Sequence, residues 1–254
     1  MSKRQVDPRI LEVKARDILN RLKNIANNHE RTFPSFLEAV LVFSGPGTIY
    51  DKLKPGQEEW MRWMDRDRIR GGRAVVAQVT AARLSVSQGR RIDVQAVTRE
   101  DVRTSGPLFV YNGIPVENKM LRQALQTGTL KLPKEKVVII DEVIEEGGIT
   151  RPIRHTADQV KSFYQTVANP RSPLYGVKNV ALVAHIPHFM RIPFYTRKYN
   201  EEYIAHGYEG LNFWVYALRS RHGTEKPYIA YELPRLILYA EQGDLATEPS
   251  VFST

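Results

Sequence analysis

The stretch Asn179 to Arg191, NVALVAHIPHFMR, constrains this chain more than any other. Residues 179 to 184 have the character of a strand buried on both faces, and they run without a spacer into two histidines, a proline and an arginine at what reads as the start of a helix. Open α/β sheets place ligands at such strand-to-helix turns, because the crevice lies outside the carboxyl ends of the strands. The remainder of the chain reads as scaffold for that edge.

The same pattern recurs along the sequence. Leu37 to Phe43 (LEAVLVF) is a nearly continuous apolar run that ends in Ser44-Gly45-Pro46-Gly47-Thr48, and Pro107 to Tyr111 (PLFVY) ends in Asn112-Gly113. Lys136 to Asp141 (KVVIID) and Leu211 to Leu218 (LNFWVYAL) complete five predicted strands. Helical patterns separate them, over residues 65 to 86, 115 to 127, 157 to 168, and around 189 to 203, with a terminal helix over 231 to 240. Pro115 and Gly128 suit the two ends of their helix, and Thr156 or His155 is a natural N-cap for the next. Strands alternating with helices predict an α/β fold with a mainly parallel five-stranded sheet and right-handed crossovers.

An amphipathic helix over residues 7 to 28, with Asp7 as N-cap and Pro8 in its first turn, precedes the first strand. Its apolar residues Ile10, Leu11, Ile18, Leu22 and Ile25 fall mostly on one face, so residues 1 to 35 are expected as an N-terminal helical extension, 36 to 243 as the α/β domain and 244 to 254 as a frayed tail. Residues 50 to 64 read as a loop leading into a helix, and Gln88 to Ser105 as a polar connection without periodicity.

The chain has 254 residues and no cysteine, which excludes disulfides, thiolate metal sites and a cysteine nucleophile. No apolar h-region follows the basic N-terminal residues and no stretch of about 18 apolar residues occurs, so the expectation is a cytoplasmic protein without membrane insertion. A net charge of +9 suits a basic solvated surface and also favours an anionic partner. Lys and Arg are scattered, with no block of five, so nucleic acid is not the favoured one.

The polar residues at predicted strand ends form a set: Ser44, Gly45, Gly47, Thr48, Asn112, Gly113, Glu117, His155, Thr156, Asp158, His185, His188 and Arg191. The Gly45-Gly47 segment suits a plain tight turn as well as a loop whose N–H groups cradle an anion. Arg66, Arg68, Arg70 and Arg73 either form a solvated face or send one guanidinium over the sheet edge to an anion. The helix dipole alone accounts for Glu117, and a hydrogen-bonded structural role for His185. His188 and Arg191, near a helix N-terminus, point to anion contact. No metal is expected, since Pro187 separates the two histidines and no H-E-x-x-H cluster is present; Ser44 lacks a G-x-S-x-G elbow.

On PLFVYNG with Glu117 following, the Gly128 to Val137 turn into a strand, His155-Thr156-Ala157-Asp158 ahead of a helix, and ALVAHIPHFMR, residues 38 to 240 resemble the bacterial family typified by YdcF, SanA and ElyC. The resemblance implies a Rossmann-like three-layer α/β/α sandwich, with a pocket of Gly45, Gly47, Asn112, Gly113, Glu117, Thr156, Asp158, His188 and Arg191, and Arg68 as a further candidate. It also implies S-adenosylmethionine as a candidate ligand. The preferred expectation is a YdcF-like protein that binds a small anionic or nucleotide-like molecule, with Glu117 and His188 as the proton-transfer pair if it is an enzyme. A nucleic-acid or anionic-surface binder and an interaction scaffold with a vestigial pocket are the rival classes.

Overall fold

In a computed structural model, residues 7–26, 32–44, 57–219, 225–246 and 248–253 are described. Five strands form one sheet: β1 (Ala39–Phe43), β2 (Leu108–Asn112), β3 (Val137–Ile139), β6 (Asn179–His185) and β7 (Asn212–Leu218). Every pairing is parallel, and the order across the sheet is β3-β2-β1-β6-β7. The chain steps outward from β1 to β3, then returns to the other side of β1 for β6 and β7. Phe43 at the end of β1 stands opposite Asn112, and Val42 opposite Val183, so the carboxyl ends of β2, β1 and β6 share one rim. The gap between β1 and β6, where the strand order reverses, is the crevice that this topology offers to ligands.

Helices cover both faces. Ala39, Leu41 and Phe43 pack with α1 (Pro8–Ala26), α5 (Thr156–Ala168), α6 (Ile192–Ala205) and α7 (Glu225–Glu241). The alternate residues Val40 and Val42 pack with α2 (Gln57–Gln88), α3 (Arg99–Ser105) and α4 (Pro115–Gln126). Burial on both sides is the reason these strands read as unbroken apolar runs. The fold is thus the Rossmann-like three-layer sandwich expected from sequence.

Several boundaries differ from expectation for local reasons. The apolar stripe of the N-terminal helix α1 is Leu11, Ala15, Leu19 and Leu22, all buried in the core of one sheet face, while Ile10, expected on that stripe, is exposed. Residues 248–253 do not fray. Phe252 sets its ring edge-on to Phe189 and Phe213, and the Ser253 N–H donates to the Phe213 carbonyl at 2.9 Å. α2 begins at Gln57, so residues 57–64 are helical, not loop. The polar connection before β2 contains α3, started by a reciprocal cap between Thr98 and Asp101. A hairpin of β4 (Glu142–Ile144) and β5 (Thr150–Pro152) follows β3, turned by Gly147 and Gly148 at φ near 80° and 79°. Ile186–Met190 is a tight 3-10 turn, and α6 starts only at Ile192 with Pro193 in its first turn. Among the described residues, no helix is long and apolar enough to cross a membrane.

Candidate functional site

Arg68 of α2 reaches the strand-order reversal and is fully buried there. Its Nε donates to His185 Nδ1 at 2.8 Å, and its Nη1 donates to the carbonyl of Phe43 at 3.2 Å and to that of Ser44. One side chain therefore ties the end of β1 to the end of β6. Because His185 Nδ1 accepts, the proton of this neutral ring sits on Nε2. Burial, followed by the charge of Arg68, holds the His185 imidazole well below its ordinary range.

His188, in the turn after β6, is buried against Phe43, with the ring centroids 5.9 Å apart and nearly perpendicular. Its Nε2 is 2.8 Å from Thr156 Oγ1 at the start of α5. Burial, then Arg68, Arg191, His185 and Arg235, push its pKa far down, so this ring too is neutral. Arg191 forms a buried ion pair with Glu232 of α7, its Nη2 donating to Oε1 at 3.1 Å. Burial raises the Glu232 carboxyl, and Arg191, Arg235 and Arg68 oppose that rise. In this cluster the buried Arg191 is paired with the Glu232 carboxylate, and Arg68 is a second buried guanidinium.

Gln159, one turn into α5, laces the third strand end into the rim. Its Nε2 donates to Ser44 Oγ at 2.6 Å and to the Asn112 carbonyl at 2.7 Å, and Asn112 Nδ2 donates back to the Gln159 carbonyl at 2.5 Å. Four polar atoms on this rim are buried without a hydrogen-bond partner among the described residues: Arg68 Nη2, His185 Nε2, His188 Nδ1 and Asn112 Oδ1.

The structure thus brings together Ser44, Arg68, Asn112, Thr156, His188 and Arg191. Gly45, Gly47 and Thr48 lie outside the described residues. Three expected residues do other work. Asp158 is clamped by Arg151, at 2.6 and 2.7 Å, and accepts the Arg154 N–H at 2.9 Å; burial raises its carboxyl, but the Arg151 hydrogen bonds and His155 outweigh that and leave it low. The same Arg151 binds Glu145, which also takes Lys161, so this network fastens the β4-β5 hairpin to α5. Glu117 accepts the Ile114 N–H at 3.0 Å as the cap of α4 and lines a cleft on the α2 side of the sheet, whereas His188 contacts Thr156 and Phe43; the expected proton-transfer pair is not assembled. Gly113 is needed for packing, since a Cβ there would lie 2.7 Å from Glu117 Oε2 and from Tyr111.

Gln159 and Glu232 escape sequence reasoning, because a polar residue inside an amphipathic helix reads as solvent-facing. Among the described residues, no group of three or more His, Asp or Glu could hold a metal ion.

Fold and rim together define an α/β protein of Rossmann type with a polar, cation-bearing switch point. No protein-family model matches the chain, and no curated protein or solved structure is significantly similar to it.

Proposed function

We propose that this chain is a YdcF-like protein that binds a small anionic or nucleotide-like molecule at the crevice between β1 and β6. The observation that carries this reading is the concentration of four unpartnered buried polar atoms on one rim. Native interiors leave few such atoms, and each costs about 1–3 kcal/mol of desolvation. Arg68 Nη2 and the Nε2–H of His185 are donors suited to a phosphate or carboxylate, and Asn112 Oδ1 is an acceptor suited to a hydroxyl or amino group. Such a mixture fits a molecule with both an anionic group and a sugar or amino group, and S-adenosylmethionine and nucleotides are of that kind. For turnover, the rim offers His188, whose Nε2 lies 2.8 Å from Thr156 Oγ1, as its proton-transfer group.

Titration calorimetry against S-adenosylmethionine, nucleoside phosphates and sugar phosphates tests the reading. One class should bind saturably, and Arg68→Lys and His188→Gln, checked for folding by circular dichroism, should each weaken it by about tenfold or more. A panel without a binder, or a binder indifferent to both substitutions, would refute it.

A further inference from the structure

Beside the rim, the sheet face covered by α2 and α4 holds a cleft of about 430 Å³. Its floor is apolar and includes Tyr111 of β2 with Leu121 and Ala124 of α4. One wall carries Arg66, Arg70 and Arg73, spaced so that a single face of α2 presents all three. Like charges at these spacings repel one another, and a helix gains nothing from them by itself. Burial, and then Arg70, push the Arg73 guanidinium below its ordinary value, and its Nε is buried without a hydrogen-bond partner among the described residues. Two carboxylates stand nearby: Glu117, which lines the cleft and accepts the Ile114 N–H, and Asp67, 3.9 Å from Arg70. Cations thus dominate one wall of a cavity whose floor repels water.

We propose that this cleft is a second binding site, for an organic anion with an apolar body: an aryl or acyl sulfonate, phosphate or carboxylate. Arg66, Arg70 and Arg73 hold the charged end, with the planar guanidinium fork giving bidentate contact, and Tyr111, Leu121 and Ala124 receive the body. The cavity volume is that of an ordinary small-molecule site, larger than a bare inorganic anion needs. Neither half of the cleft suffices alone: the floor gives no orientation to a neutral hydrocarbon, and the exposed Arg66 and Arg70 hold a free phosphate only weakly through water. None of Arg68, His185 and His188 lines this cleft, so failure here leaves the switch-point reading standing, and the reverse.

The test is calorimetric titration of the full chain with naphthalene-2-sulfonate, with naphthalene-2-methanol as the neutral counterpart and inorganic sulfate as the bare anion. The sulfonate should bind at one site, about tenfold or more tighter than either control. Arg73→Gln should weaken it about tenfold by removing a guanidinium. Met120 lines the cleft at 48% exposure, so Met120→Asp places a negative charge at the mouth without disturbing the core and should weaken binding as much. Equal affinity for the neutral compound, equal affinity for sulfate, or sulfonate binding undiminished in Met120→Asp would overturn the proposal.

Discussion

His185 and His188 are the residues in which the rim's chemistry and the protein's stability meet. Both rings are buried beside Arg68, and burial before charge keeps both unprotonated in the folded state. An unfolded histidine takes up its proton below about pH 6.5, so in that range the unfolded chain binds more protons than the folded one and stability falls as pH falls. Each ring should contribute a slope that approaches about 1.4 kcal/mol per pH unit once the unfolded histidine is fully protonated. His155, lowered chiefly by burial, acts in the same direction, while Glu232, raised by burial, acts in the opposite one because the folded state protonates it first. Guanidinium denaturation between about pH 7 and pH 5.5 checks this. The wild type should lose stability on acidification, and His188→Gln should lose it less steeply by one proton's worth. Equal slopes in the two proteins would mean that His188 protonates without cost in the folded state.

Among the elements, α2 matters most, because it delivers both Arg68 to the rim and the arginine wall to the cleft. It can do so because it lies unusually close to the sheet. A Cβ on Gly72 would stand 2.4 Å from Val42 Cγ2 and 2.8 Å from Phe109 Cε2. From sequence, Gly71 and Gly72 look like interruptions that a helix merely tolerates, at about 1 kcal/mol each; in the structure Gly72 sets the distance between layers. Gly72→Ala would gain that helical preference but overpack the interface, a cost of about 1–3 kcal/mol that rises with so short a contact. A net loss of stability is expected in denaturant melts, partly recovered when Val42→Ala removes the nearest methyl in the same chain. A stabilised Gly72→Ala protein would show that α2 can move away from the sheet at little cost.

For the whole molecule, what was legible in the sequence followed from burial. Strands such as β1 and β6 are covered on both faces, so their apolar runs identify them without reference to neighbours, and their polar ends mark the rim. The order β3-β2-β1-β6-β7 was not legible, because periodicity records which face a residue shows and not which strand lies beside it. The importance of Arg68 was hidden among Arg66, Arg70 and Arg73, since four arginines on one helix look alike until the sheet selects the one that is swallowed. Glu232 was hidden in α7 for the same reason, as one of three glutamates in a helix, and only the packing of Arg191 reveals its burial. The most direct measurement of the central claim, that the switch point is an anion-accepting site, is nitrogen NMR of histidine-labelled protein titrated with S-adenosylmethionine, nucleoside phosphates and sugar phosphates. The imidazole signals of His185 and His188 should shift together and saturably with one ligand class while exposed His206 stays still. Rim imidazoles that remain fixed while a ligand binds elsewhere would contradict the claim.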